Sequence, residues 1–269
     1  MDQRANDHRI DLETGSQTIM STHEAGVRNV IYSAPHNLVI SASWDSTLHL
    51  HDLSRPGDFA AIRLPSKPFS LSASPTKLVV AMASRAVNIY ELDGLSNAAK
   101  RGGGESVELA PWQQRESSMK YMTRAVACMP NDAGYSSSSI EGRVAVEWFD
   151  PSEESQSRKY AFKCHRQTVE GQDIVYPVHA LAYHPVHGTF ATGGGDGIVA
   201  LWDAVAKRRI RQYQKFPAGV QTIDFSSDGK FVAVGVSPGF EDGTDDVPDG
   251  VIKVFIRELT STEAQGKKK

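Results

Sequence analysis

One pattern recurs along this chain, and that repetition constrains the fold more than any other feature. "NLVISASWDSTLHLHDL" from Asn37, "KLVVAMASRAVNIYELD" from Lys77, "GYSSSSIEGRVAVEWFD" from Gly134 and "GTFATGGGDGIVALWDA" from Gly188 each read as strand, polar turn, strand. A fifth copy starts at Lys230 with "KFVAVGVSP" and resumes after an acidic insertion as "GVIKVFIRE" from Gly250. The copies begin roughly 40 to 57 residues apart, near the period of four-stranded propeller blades once loop insertions are allowed. Each hairpin is also preceded by another strand candidate: "GVRNVIYS", "PFSLSASP", "TRAVACMP", "YPVHALAYHP" and "AGVQTIDFS".

Composition narrows the class. With 40% hydrophobic and 23% charged residues in 269, the chain reads as a soluble globular protein able to bury a core. No run of about 18 apolar residues occurs, and Met1 to Glu13 is polar, so a membrane span and a signal peptide are not expected and the setting is cytosolic or nuclear. A net charge of -3 argues against a generally basic nucleic-acid binder. Charge is nevertheless uneven: Glu241, Asp242, Asp245, Asp246 and Asp249 form an acidic loop, Lys207, Arg208, Arg209, Arg211 and Lys215 cluster, and Lys267 to Lys269 end the sequence. Cys128 and Cys164 lie far apart at no metal-ligand spacing and read as buried free thiols.

The pattern resembles the WD40 family over nearly the whole chain, most clearly at "GGGDGIVALWDA". The resemblance implies an all-β propeller. His23 stands at the family's structural histidine, Asp45 and Asp196 at its turn aspartate, and Trp202 at its tryptophan, while His51 and Tyr90 occupy positions where tryptophan is usual. One WD40 domain over 1–259 is expected, with a partial blade at 8–22, blades near 23–65, 66–122, 123–167, 175–217 and 218–259, and a polar basic tail at 260–269. On this reading Met1 falls inside a blade. Either "SQTIMST" pairs with the last blade and closes five blades, or the chain forms an open arc about two blades short of the family's seven. The arc is preferred, because wedge angles set by packing cannot tighten from seven to five without repacking every interface.

A narrower resemblance lies in the middle of the chain. "ESSMKY", "SIEGRVAVEWFDP", "FKCHR" and "YPVHALAYHPVHGTFATGGGDG" are similar to the propeller member of the Bub family of spindle-assembly-checkpoint proteins. A relative, the nuclear-pore and messenger-RNA-export propeller that binds a nucleoporin GLEBS motif, shares forms of "SIEGRVA" and "FKCHR" and is the alternative. The resemblance implies a non-enzymatic scaffold without cofactor, nuclear and at kinetochores in mitosis. It would bind GLEBS motifs of checkpoint kinases and Mad-type proteins and dock them on phosphorylated MELT motifs. GLEBS peptides present paired glutamates, so a fixed cation is required, and Arg166 of "FKCHR" is the first candidate because a guanidinium holds a carboxylate with two parallel hydrogen bonds. Arg143 and Lys120 either extend that positive rim or pair with Glu141 and Glu116. Trp44 sits at a turn where an aromatic anchors a peptide, or is only the repeat counterpart of a tryptophan expected in an earlier blade. Lys207 and Arg208 of "AKRRIRQ" are the phosphothreonine candidates, against an ordinary exposed strand with its charges outward.

Enzyme and metal readings are set aside. Gly102-Gly103-Gly104 lacks a preceding strand and a following GK[ST], and reads as a flexible insertion rather than a phosphate loop. His184 and His187 flank Pro185-Val186 on a turn without a third ligand, and read as surface histidines. "SSSS" from Ser136 lacks a nucleophile-elbow pattern.

Overall fold

The computed structural model of the chain describes residues 4–239 and 250–266; the acidic loop from Glu241 to Asp249 and Lys267 to Lys269 lie outside the described residues. The chain divides into two compact units, Met1–Ser117 and Ser118–Lys269. Among the described residues no helix is long and apolar enough to cross a membrane.

In the first unit, β1 (Ala5–Ile10) and β2 (Gln17–His23) form an antiparallel hairpin. Next come β3 (Val27–Ser33), β4 (Leu38–Ser43), β5 (Thr47–Asp52) and β6 (Ala60–Arg63), a four-stranded sheet in chain order. A second such sheet holds β7 (Pro68–Ala73), β8 (Lys77–Met82), β9 (Ala86–Glu91) and β10 (Gln113–Glu116), with helix α1 (Leu92–Ala99) inserted before its outer strand. The two-residue period of β4 and β5 divides their faces. Leu38, Ile40, Ala42, Leu48 and Leu50 are fully buried against Ile62, Leu78, Val80, Met82 and α1. Each such side chain contributes about 1.5–3 kcal/mol of burial. Ser41, Ser43, His49 and His51 alternate with them and are also buried, so that other face must satisfy its polar groups internally. The Gly102 to Gly104 stretch is not loose. Gly104 N–H donates to Phe59 O at 2.8 Å and Val107 N–H to Ala61 O at 2.7 Å, so the insertion runs beside β6 in place of a further strand.

In the second unit, β11 (Thr123–Cys128), β12 (Gly134–Ser139), β13 (Arg143–Trp148) and β14 (Tyr160–Lys163) form one sheet, with the short helix α2 (Glu153–Ser157) before β14. An exposed hairpin follows, β15 (Arg166–Val169) and β16 (Gln172–Val175), which the repeat pattern does not predict. The next sheet is β17 (Val178–Tyr183), β18 (Phe190–Gly194), β19 (Val199–Asp203) and β20 (Arg208–Gln212), and the last is β21 (Val220–Phe225), β22 (Phe231–Val236) and β23 (Lys253–Glu258). One core lies between the first two of these sheets, around Phe190, Val144, Val146, Val178 and Phe162; a second lies between the last two, around Leu201, Val220, Val232, Val234 and Leu259. The "SSSS" run is strand β12, wholly buried. Its small side chains let the neighbouring sheet approach, with Ser138 Oγ donating to Val178 O at 2.8 Å and Ser136 Oγ bonded to Tyr183 Oη at 2.6 Å.

The fold is thus an all-β propeller type with five blade sheets. Four have four strands each, and the fifth has three among the described residues where a full blade is expected. The tail also departs from expectation: Ala264 and Glu263 are buried rather than trailing in solvent. His184 is buried too, not a surface histidine. Its Nε2–H donates to Gly229 O at 2.9 Å and its Nδ1 accepts from the backbone N–H groups of Val186 and His187, so it closes a turn.

Candidate functional site

The site in the second unit is built outward from a buried network. His165 Nδ1–H donates to Asp196 Oδ1 at 2.9 Å, which leaves Nε2 to accept from Thr192 Oγ1 at 2.8 Å; Trp202 Nε1–H donates to the same hydroxyl at 3.0 Å. Four elements are joined: the chain after β14, strand β18, the Asp196-Gly197 turn and strand β19. The network holds His165 at a φ of 49°, in the left-handed region that a non-glycine residue occupies only when its surroundings fix it. The next residue is Arg166.

Arg166 is half-buried at the foot of the β15–β16 hairpin. Its Nη2 donates to Glu141 O at 2.8 Å and its Nε reaches Gly142 O at 3.5 Å, so backbone carbonyls orient the guanidinium and no carboxylate among the described residues neutralises it. It lines a cleft of about 370 Å³ together with Lys163, Arg209 and Lys215, while Asp196 on the same wall is engaged by His165. A smaller cavity of about 190 Å³, lined by Tyr160, Phe162, Lys207 and Arg208, shares Lys163, Trp202 and Arg209 with that cleft. Lys207 Nζ lies 4.8 Å from the centre of the Tyr160 ring, a cation–π placement that limits its rotamers. Burial pushes the Cys164 thiol up to about 12, and Cys128 is buried as well; both are free, as their spacing predicts.

Gly142 is the hinge of this arrangement, with φ at 62° and Cys164 O only 2.7 Å from where a Cβ would sit. Gly142→Ala is expected to cost about 1–3 kcal/mol of stability in thermal melts, because both the backbone conformation and the carbonyl that meets Arg166 must shift.

The other candidates are dispersed. Arg143 is drawn to Glu141, with Nε 3.6 Å from Oε2. Lys120 is exposed and stacks its Nζ over Tyr121 at 5.3 Å; Glu116 is paired with Arg85. Trp44 belongs to the first unit, where it is 48% exposed in the β4–β5 turn, its backbone N–H donating to Gly26 O at 3.1 Å.

A variant of the same network sits in the first unit. His23 Nδ1 meets Asp45 Oδ2 at 3.1 Å and Thr47 Oγ1 at 3.0 Å, and its Nε2 meets Ser41 Oγ at 2.9 Å. In place of tryptophan, His51 Nε2 bonds Ser21 Oγ at 3.2 Å. Ser21 and Ser41 both donate to the buried Asp7 Oδ2, at 3.0 and 2.5 Å. Asp7, His23 and His49 bring one ligand atom each within 4.8 Å of the others. The His23 and His49 rings stack at 3.6 Å with 14° between planes, so their lone pairs run side by side instead of meeting at one point, and the cluster is a polar core and not an ion cage.

Sequence reasoning missed His165, Asp7 and Glu263. His23 precedes its turn aspartate Asp45 by 22 residues, whereas His165 precedes Asp196 by 31, because the β15–β16 hairpin is interposed. The signal was present in "FKCHR", one residue before the arginine that was noticed.

The family model described as WD domain, G-beta repeat, matches residues 15–52 and 159–203, which carry both networks apart from Asp7. The mitotic checkpoint protein BUB3.1 of Arabidopsis thaliana is 44% identical over 97% of this chain and 74% of its own length. The mitotic checkpoint protein bub3 of Dictyostelium discoideum is 37% identical over 93% of this chain and 72% of its own length. The mRNA export factor GLE2 of Chaetomium thermophilum is less similar, 27% identical over 95% of this chain and 69% of its own. A chain of a mitotic checkpoint complex crystal structure shares the fold, with a TM-score of 0.65 at 12% identity over 87% of this chain and 66% of that one. From its repeats, its two histidine–aspartate networks and this degree of identity, the chain belongs to the Bub3 family of WD40-repeat mitotic checkpoint proteins, a family of non-enzymatic scaffolds.

Proposed function

We propose that this chain acts at mitotic kinetochores as a scaffold of the spindle checkpoint, holding glutamate-bearing GLEBS segments of a checkpoint kinase and a Mad-type protein at Arg166 and phosphorylated MELT motifs at Lys207 and Arg208. The observation that carries the reading is the Arg166 guanidinium, oriented by the carbonyls of Glu141 and Gly142 and without a carboxylate of its own among the described residues, beside Lys163, Arg209 and Lys215. Such a cation loses little rotamer freedom on binding and accepts a carboxylate through both arms of its fork. The phosphate cavity adjoins it, and clustered cations are what a phosphothreonine needs. Arg143 and Lys120 are further candidates for peptide contacts in this unit, and Trp44 is a candidate of the first unit taken by itself.

Peptide pull-down tests the reading. A GLEBS peptide is expected to be retained, its Glu→Gln version lost, and a MELT peptide retained only when its threonine is phosphorylated. A chain of the export type would keep the GLEBS peptide and ignore the phosphopeptide; that outcome would transfer the proposal to nucleoporin binding. Replacing both Lys207 and Arg208 by alanine is expected to weaken the phosphopeptide about tenfold or more by fluorescence anisotropy, with a smaller dependence on salt than the unaltered chain shows.

A further inference from the structure

The short segment that follows β23 is docked in a manner its composition does not announce. Leu259 and Ala264 enter the core between the last two sheets, Thr189 Oγ1 donates to Ala264 O at 2.7 Å, and the intervening residues turn back so that Glu263 is 7% exposed. Its carboxylate meets two guanidiniums: Arg211 Nη1 lies 2.8 Å and Arg257 Nη2 3.2 Å from the same oxygen, Oε1. Both arginines also lie over the Tyr213 ring, at 5.9 and 4.9 Å from its centre. Burial works against the Glu263 charge, but the nearby Tyr213 hydroxyl and the Arg211 and Arg257 guanidiniums outweigh it and keep the carboxyl below its ordinary range.

This clamp has the features of an occupied receptor more than of a finished ion pair. Two cations face one anion, so the site is positive even when filled. Both guanidiniums converge on one oxygen, while among the described residues the only hydrogen bond to Oε2 is the long one from Thr260 N–H at 3.4 Å, so neither arginine makes the bidentate contact it is built for. The arginine side chains are 48% and 53% exposed. A cleft of about 350 Å³ lined by Tyr213, Phe216, Phe255 and Arg257 opens beside them. The occupant itself is a short turn whose two anchors are one glutamate and the small apolar residue after it.

We propose that Arg211, Arg257 and Tyr213 form a second acidic-peptide site, separate from Arg166, that Glu263 is its resident occupant in the free protein, and that a partner segment carrying glutamate followed by an apolar residue displaces the C-terminal segment. The resident copy is tethered, so its effective concentration keeps weak anions out, and a free segment competes only at millimolar concentration or by engaging both forks. The site thereby ties partner binding to release of the strap that joins the last two sheets.

The test uses a fluorescein-labelled peptide copying Leu259 to Gly266, LTSTEAQG, and the whole chain carrying Glu263→Gln. The peptide is expected to bind this variant at least tenfold more tightly than the unaltered chain. A peptide with glutamine at the glutamate position should bind neither, and adding Arg211→Ala to the variant should abolish binding. A Glu263→Gln chain with an unchanged circular dichroism spectrum and no peptide binding would reduce the clamp to an internal staple. Should that variant not fold, hydrogen exchange on the unaltered chain decides the matter: millimolar LTSTEAQG is expected to speed exchange at residues 260–266 and the glutamine peptide to leave it unchanged, and equal exchange with both would overturn the proposal. The same acceleration by inorganic phosphate would show a general anion site and refute the preference for a peptide.

Discussion

Arg166→Ala is expected to weaken a GLEBS peptide by about 2–5 kcal/mol, roughly thirtyfold to several thousandfold in Kd, while leaving the melting temperature almost unchanged. The size follows from what stays behind: a partner carboxylate desolvated in the cleft with its counter-charge removed costs more than the pair itself is worth. Stability should hold because among the described residues Arg166 bonds only the carbonyls of Glu141 and Gly142, at a partly exposed position, and such groups turn to water when the side chain is cut back. Arg166→Lys should recover less than half of the lost binding energy, since an ammonium has no fork. Isothermal calorimetry reads both, and an alanine variant that binds as tightly as the unaltered chain would remove Arg166 from the site.

Asp7→Ala should have the largest effect on stability in the first unit, about 3–5 kcal/mol, because Asp7 Oδ2 accepts from Ser21 and Ser41 and sits 3.5 Å from His23 Nε2 and 3.8 Å from His51 Nε2 in a buried pocket. The same cluster sets the acid limb of the stability curve. Burial, assisted by the neighbouring charge of His23 and opposed by Asp45 and Asp7, lowers His49 from 6.5 to about 4. Its folded form therefore resists the proton that the unfolded chain accepts. The contribution is fully present above pH 6.5 and is lost as pH falls from 6.5 to about 4, on the order of 3 kcal/mol over that window. Asp7 acts lower on the scale. Burial raises its carboxyl, but hydrogen bonds from His23, His51 and Ser41 and the charge of His23 hold it far below 3.8, so its contribution is present above 3.8 and disappears as pH falls further. Urea unfolding at stepped pH is expected to show two successive losses; His49→Phe should flatten the first and leave the second. A curve for His49→Phe parallel to that of the unaltered chain would contradict the assignment.

What could be read in the sequence followed from local chemistry. The alternation of "NLVISAS" and "STLHLHD" around Asp45, and of "FATGGG" and "IVALWDA" around Asp196-Gly197, is a backbone property of two-residue period and turn residues, and β4, β5, β18 and β19 lie where those patterns placed them. The proposed role of Arg166 starts from the specificity of its motif, "FKCHR". The β15–β16 hairpin could not be read from the sequence, since "RQTVEGQDIV" carries no apolar alternation and among the described residues its strands pair only with each other.

The strands and their turns are legible in the sequence because they depend on neighbours within a few residues, and the family is legible in its motifs. Which polar side chains are buried together depends on the folded chain. Asp7 with Ser41 and His51, His165 with Thr192, and Glu263 with Arg211 are pairs separated by long stretches of chain, and their energies depend on desolvation that exists only after the sheets have stacked.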